Sequence, residues 1–469
     1  MKLYDTSMSL LTDLYQLTSA YAIWKAGKHN VRTCYHMFFR SNPFNGGYAV
    51  CAGLQPFLQW VKDFRFDQSD IDYLQTLKGN DSKPLFKDQE FFDFLLDFRF
   101  KCDIWAIPEG TIVFPQEPLV CVIGTMIENL FLETAMLCYI NSQTLLATKA
   151  SRVKHAAGNC PVLEFGLRRA QGPDGALSAS RAAYIGGADA TSNVLAGKLF
   201  GIPVKGTHPH GFVMFFESED AAFSEYANYL PNNCVFLVDT YSTVDGVKNA
   251  IVSSLELKKN GYEPIGIRLD SGDLADLAKK SRKLLDDAGL FSMKVFASND
   301  IDEYTIQSLE KQGAPIDVYG VGTKMVTAYD QPALGGVYKM SAIEENGKWV
   351  HKMKFSESSS KTTNPGILNV YRYYDKNNKA MFDVIFDELE TGEHLPKTMV
   401  LPNCTIDLDN CIWQSLMNKE MEKGKLHKFN TVSRSLQDIR LNFSISKSEF
   451  DPGIFDFSDP AEYLSLIHI

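Results

Sequence analysis

The stretch Pro264–Gly289, "PIGIRLDSGDLADLAKKSRKLLDDAG", contains one complete unit of an α/β fold. Its apolar run is short and closes on Asp270, Ser271, Gly272 and Asp273, a turn that can also cap a following helix. From Leu274 the apolar residues recur at helical spacing as far as the Gly289 stop. The same alternation extends to both sides. Upstream, "PVLEFGL" (161–167) precedes the helical run 175–200, "IPVKGT" (202–207) precedes 218–230, and "CVFLVD" (234–239) precedes 242–261. Downstream, "MKVFAS" (293–298) precedes 302–313, and "IDVYGVGT" (316–323) ends the series. Strand-like runs alternating with helices predict a parallel sheet with crossover helices. A barrel or partial barrel fits the count, with a doubly wound open sheet as the alternative.

Outside this region the pattern changes. Residues 12–27 and 83–100 read as helices, 102–124 as β-like with prolines at turns, and 126–158 as one or two packed helices. After Gly336, residues 337–356 read as a hairpin, and the remainder is strand-rich with a polar tail. Three parts are therefore expected: residues 1–125, mixed α/β; 126–336, the α/β barrel with the active site; and 337–469, a β-rich part packing with the first.

Composition sets bounds on partners. The chain has 469 residues, 45% of them apolar and 22% charged, as in an ordinary soluble globular protein. A formal net charge of −10 argues against a general nucleic-acid binder, which needs a basic surplus. No run of about 18 apolar residues predicts a membrane span, and the N-terminus lacks the pattern of a signal peptide. The nine cysteines are scattered, which suits reduced thiols in the cytoplasm. Cys404 and Cys411 have no second pair nearby and read as ordinary thiols rather than a zinc site.

In α/β barrels reactive groups gather at the carboxyl ends of the strands. Collected there are Arg168 and Arg169; Thr207, His208 and His210; Asp239, Thr240, Tyr241 and Ser242; Arg268, Asp270, Ser271 and Asp273; Ser298, Asn299 and Asp300; and Gly320, Gly322 and Thr323. Arginine pairs bidentately with carboxylates and phosphates. Glycines beside Ser or Thr present backbone N–H groups to phosphate oxygens. Aspartates hold ribose hydroxyls or Mg²⁺. A phosphorylated sugar with an anionic partner is the economical substrate class. Each element also has a plain structural reading: Arg168 and Arg169 as surface charges, "GVGT" as a turn, Asp239 and 270–273 as helix caps, Tyr15 as core. A metal hydrolase built on His208 and His210 lacks supporting carboxylates at the right spacing.

These residues lie in strings that resemble the nicotinate phosphoribosyltransferase family through nearly the whole chain. The densest are "TDLYQLTSAY" (12–21), "EFGLRRAQGPDGALSASRAAYIGGADATSNVLAG" (164–197), "GIRLDSGDL" (266–274) with "ASNDIDE" (297–303), and "YGVGTKMVTAYDQPALGGVYK" (319–339). The resemblance implies an irregular α/β barrel of the type II phosphoribosyltransferase kind plus a second domain built from both chain ends. It implies that nicotinate and phosphoribosyl pyrophosphate give nicotinate mononucleotide and pyrophosphate on the way to NAD, coupled to ATP, with Mg²⁺, in a homodimer. Arg268 would hold the nicotinate carboxylate with Arg168 beside it, Phe165 would face the pyridine ring, and Tyr15 would stack on it across the dimer. Asp270 would bind ribose hydroxyls, Ser271, Ser298, Asn299 and Thr207 would stand on the substrate side, and Gly320, Gly322 and Thr323 would cradle the 5-phosphate. His210 would be the phosphorylated histidine, with His208 a neighbour that shapes the loop or meets an anion. The chain departs from the family pattern at Pro209 and Gly211, where a small residue and a serine are usual. The rivals are a nicotinamide or quinolinate phosphoribosyltransferase and a non-catalytic barrel that binds a phosphorylated metabolite.

Overall fold

A computed structural model describes residues 7–354, 362–391, 398–401, 404–408, 411–428 and 431–468. The chain divides into two compact units, Leu146–Pro332 and a second made of Met1–Leu145 with Ala333–Ile469.

The continuous unit is built on a six-stranded sheet in the order Ala190–Thr191, Val162–Glu164, Val318–Val321, Lys294–Ala297, Gly266–Leu269, Val235–Leu237. Every pair in it is parallel. The runs are apolar without alternation because both faces are covered, as parallel sheets require. One face supplies Val162, Phe236, Ile267, Val295 and Tyr319 to the main core, and the other supplies Leu163, Val235, Phe296 and Val318 to a smaller cluster with Phe165. Among the described residues the hydrogen-bonded order does not return on itself, and its edges are Ala190–Thr191 and Val235–Leu237. Helix Leu274–Asp287 shows how the crossovers form. Asp273 caps it by accepting from the Ala275 and Asp276 N–H groups, and Leu274, Ala278, Ser281 and Leu285 lie buried at helical spacing. Leu285 is fully buried, so Leu285→Ala would cost about 2–5 kcal/mol.

Two segments differ from the expectation. The predicted strand at "IPVKGT" is reduced to a single bridge between Val204 and Thr191. The long helical run 175–200 is two helices, Gly172–Ile185 and Val194–Phe200, with a sheet strand between them. The break falls at Gly186–Gly187. A Cβ on Gly186 would sit 2.2 Å from the Ala147 carbonyl oxygen, and Gly187 takes a left-handed φ of 108°.

The other unit has a seven-stranded sheet ordered Lys348–His351, Gly336–Glu345, Arg32–Phe39, Val120–Thr125, Asp103–Ala106, Asn418–Glu422, Lys425–Leu426. The expected hairpin is present: Gly336–Glu345 pairs with Lys348–His351 around Asn346–Gly347, whose positive φ values suit a tight β-hairpin turn. A four-stranded sheet joins Ile412–Ser415, Leu368–Tyr374, Ala380–Asp387 and the terminal strand Leu464–His468. Arg372 and Asp383, both fully buried, form a two-pronged pair at 2.8 and 2.6 Å inside it. Cys411 is a free thiol, and the side chain of Cys404 lies outside the described residues. No described helix is long and apolar enough to cross a membrane.

Candidate active site

The carboxyl ends of the parallel strands converge on Arg268. Its Nε donates to Ser298 Oγ at 2.8 Å, Nη1 to Thr207 Oγ1 at 2.8 Å and Nη2 to Asp270 Oδ1 at 2.9 Å. The guanidinium carbon lies 5.7 Å from the Phe165 ring centroid, within cation–π range. Three strands and a loop thus fix one planar cation. Phe165 is seated by Gly320: a Cβ there would come within 2.8 Å of the ring. Gly320 is buried inside its strand, while Gly322 and Thr323, partly exposed, form the turn into the short helix Thr323–Val326.

A second set of contacts organises the carboxylates. Asp239, its side chain 1% exposed, accepts from the Asp270 N–H (3.0 Å) and the Ser271 hydroxyl through Oδ2. Its Oδ1 has no hydrogen-bond partner among the described residues and faces His210 Nε2 at 3.9 Å. Asp270 Oδ2 faces the same nitrogen at 3.7 Å. Burial pushes the Asp270 carboxyl upward, but Arg268, Ser298 and His210 outweigh it and hold it below the usual carboxylate value. His210 is the first residue of helix His210–Phe215, and its Nδ1 lies 3.1 Å from Thr240 Oγ1.

The neighbouring histidine has another role. His208 is 3% exposed, its Nε2 accepts from the Leu237 N–H at 3.1 Å, and Phe212, Phe223 and Tyr226 surround the ring. Desolvation drives its pKa down to about 4. Of the two expectations for it, the structure supports the loop-shaping role: a neutral ring in an aromatic cage is a poor anion ligand.

Arg168 and Arg169 stand exposed in the turn Leu167–Arg169, with no ion pair among the described residues. Asn299 and Asp300 are exposed with φ of 94° and 39°, conformations that non-glycine residues rarely take and that cluster at functional loops. That loop is pinned from behind. Asp302 caps helix Glu303–Lys311 and pairs with Lys324 at 2.6 Å, and buried Glu303 holds Lys149 and Arg152 at 2.8 Å each. Tyr15, on helix Leu14–Lys25 of the other unit, donates to Glu133 at 3.0 Å; burial and Glu133 push its phenol up to about 12.

Asp239 and Thr240 are the residues that sequence reasoning undervalued. The signal was their place after "VFLV", but an Asp there also reads as a helix cap. Ser242 occupies that cap position for helix Thr243–Lys259, which frees Asp239 to turn toward Asp270.

The fold and this cluster define a class: an α/β protein that gathers an arginine, two aspartates and a histidine at the carboxyl edge of a parallel sheet, suited to anionic, hydroxyl-rich substrates. Comparison with known proteins makes the class specific. Family models described as the nicotinate phosphoribosyltransferase N-terminal and C-terminal domains match residues 10–141 and 368–464. Nicotinate phosphoribosyltransferase of Bacillus subtilis is 48% identical over 388 residues, 82% of this chain and 77% of that one. The Dictyostelium discoideum protein of that name is 40% identical over 428 residues, covering 81% and 71%. The crystal structure of human nicotinic acid phosphoribosyltransferase matches with a TM-score of 0.84 at 31% identity over 98% of both chains. The chain belongs to the nicotinate phosphoribosyltransferase family.

Proposed function

We propose that this chain transfers the phosphoribosyl group of phosphoribosyl pyrophosphate to nicotinate, forming nicotinate mononucleotide and pyrophosphate for NAD synthesis, and that ATP drives the step through His210. The observation that carries this reading, in a chain of this family, is the convergence of Arg268, Asp270 and His210 at one sheet edge.

Arginine has five N–H donors, and three of those on Arg268 are engaged; the remaining two serve the nicotinate carboxylate. Because the guanidinium is permanently charged and already fixed, it favours the acid over the amide. Phe165 offers its ring to the pyridine, and Arg168 adds positive potential from the neighbouring turn. Asp270, with Ser271, Ser298 and Asn299 beside it, takes the ribose side, and Gly322 and Thr323 take the 5-phosphate; Gly320 serves by seating Phe165. As pyrophosphate leaves, positive charge develops on the sugar, and the carboxylates of Asp239 and Asp270 stabilise it.

For the ATP step, two carboxylates facing Nε2 keep the imidazole proton there. Nδ1, positioned by the Thr240 hydroxyl, then carries the lone pair; once that hydroxyl turns off it, the lone pair bonds to the γ-phosphorus as the bond to the ADP oxygen breaks. Asp239 Oδ1, buried and without a hydrogen-bond partner among the described residues, and Asp270 Oδ2, which is partly exposed, are hard oxygen donors that would fit Mg²⁺. When bound, Mg²⁺ neutralises charge on departing pyrophosphate or ADP. The irregular barrel, the three-part division at 125 and 336, the homodimer that brings Tyr15 to a second copy's pyridine ring, and the cytoplasmic location belong to the same proposal, supported by the family resemblance.

The test is pyrophosphate release from phosphoribosyl pyrophosphate and Mg²⁺ with nicotinate or nicotinamide as acceptor. A preference for nicotinate on the order of 10²-fold or more is expected, since losing one buried charge pair costs about 2–5 kcal/mol. Preference for nicotinamide, or no pyrophosphate from either base, would overturn the reading.

A further inference from the structure

A second group of basic side chains lies in the unit formed by the two chain ends, where the proposed chemistry uses none of them. An open cleft of about 610 Å³ is lined there by Lys62, Arg99, Lys425, His427 and Lys428, and among the described residues no aspartate or glutamate lines it. In a chain with a net charge of −10, three lysines, an arginine and a histidine around one cleft create a local positive potential against the overall field. Its floor is apolar, with Val61, Phe64, Phe100 and Leu426.

The surrounding contacts fix this shape. Lys62 is in the last turn of helix Leu54–Asp63. Arg99 follows helix Gln89–Asp97, and its Nη1 donates to the Leu96 and Phe98 carbonyls at 3.1 and 2.6 Å, which holds the guanidinium by one corner. Opposite, the chain turns at Lys423 and Gly424 with φ of 48° and 75°. A Cβ on Gly424 would lie 2.1 Å from the Phe100 carbonyl oxygen, so only glycine lets this turn close on Phe100 and bring Lys425 to the rim. The following segment is latched to the helix of Lys62, because Gln55 Nε2 donates to the Thr431, Val432 and Arg434 carbonyls at 3.2, 3.3 and 3.0 Å. The nearby acid is turned away: Glu420, 2% exposed, accepts from the Thr431 N–H and hydroxyl at 2.6 and 2.7 Å. Lys62, Arg99 and Lys425 have no ion pair among the described residues.

We propose that this cleft is a second anion site, distinct from the Arg268 cluster, that binds a nucleotide through its oligophosphate on the cationic rim. Several cations around one cleft call for more negative charge than one carboxylate brings, and Lys and Arg suit phosphate oxygens as point charge and planar donor. The volume lies in the range of small-molecule sites.

Because ATP is also the proposed co-substrate, the test counts sites. Equilibrium dialysis of labelled ATP against the full chain compares wild type with Lys62→Glu/Lys425→Glu. One fewer ATP per chain is expected in the variant, with nicotinate turnover kept at the wild-type level as proof of folding. Tripolyphosphate should displace the additional ATP and adenosine should not. If the double reversal fails to fold, Lys425→Gln alone should weaken the additional ATP at least fivefold. Equal stoichiometry in wild type and variant overturns the site, as does binding of a single-stranded oligonucleotide there without ATP. If the catalytic site holds no ATP, the counts become one against none instead of two against one, so the two readings fail separately.

Discussion

Pro209 separates two histidines whose surroundings are opposite in kind. His208 lies in an aromatic cage, uncharged, with its one satisfied nitrogen tied to the backbone of strand Val235–Leu237. His210, side chain 40% exposed, stands among oxygen atoms from the loops after two strands: Thr240 on Nδ1, Asp239 and Asp270 toward Nε2. Proline supplies the divide. It ends the extended segment and is tolerated just ahead of the helix that begins at His210, where no intrahelical donor is needed. Residue type alone therefore says little here. One imidazole reports burial and the other reports convergent charge.

The comparison breaks most sharply at His210. In His210→Ala the stimulation of nicotinate turnover by ATP should vanish, while the melting temperature stays within about 2 °C because an exposed ring is lost. Steady-state rates with and without ATP, beside a thermal melt, check both parts. Stimulation equal to wild type would remove His210 from the coupling step.

The next largest effect belongs to His208 and appears in stability. Its pKa falls from 6.5 in the unfolded chain to about 4 in the folded one. Between those values the unfolded state binds the proton and the folded state does not, so acid favours unfolding. Stability should fall as pH drops through 6.5 and level off below about 4, by about 2 kcal/mol at pH 5 and about 3 kcal/mol in full. Urea midpoints at pH 7 and 5 measure it, and His208→Gln, which keeps an acceptor for the Leu237 N–H but cannot titrate, should flatten that part of the slope. An unchanged slope in the variant would mean that the cage does not keep His208 neutral.

Thr240 tests the other side of the divide more gently. Thr240→Val removes one hydrogen bond from His210, worth about 1 kcal/mol, so ATP coupling should weaken roughly fivefold with the basal rate preserved. Thr240→Ser should restore it. Failure of serine to rescue would mean that the methyl group, not the hydroxyl, positions the ring.

How much of this was legible beforehand follows the range of the interactions. The parallel sheet could be read because each strand and its crossover helix are neighbours in sequence, and the site could be read because carboxyl ends of parallel strands share an edge. That reading collected Arg268, Asp270 and His210 within a longer set of candidates, and only the family resemblance preferred His210 to His208. The Gly186–Gly187 break was missed although its signal is local: two successive glycines, the second left-handed, stop a helix, and the apolar spacing on either side was read through them. The pairing of Cys34 with Ala342 was out of reach, since register between such distant segments is set by packing. Asp239 was ambiguous for a local reason: a capping aspartate and a converging one look alike until a serine three residues on takes the cap.

The smallest expected effect concerns Gly211, where the family resemblance leads to the expectation of a serine. Gly211 is the second residue of helix His210–Phe215, its φ is not left-handed, and a Cβ there would meet nothing within 4 Å. Serine therefore fits without strain, and its better helix propensity should raise stability by about 0.5 kcal/mol or leave it unchanged. ATP coupling in Gly211→Ser should stay within about twofold of wild type, because Thr240, Asp239 and Asp270 already face both ring nitrogens of His210 without help from residue 211. A rise in coupling of fivefold or more would show that this set is incomplete and that the missing serine hydroxyl belongs among the groups that position the histidine.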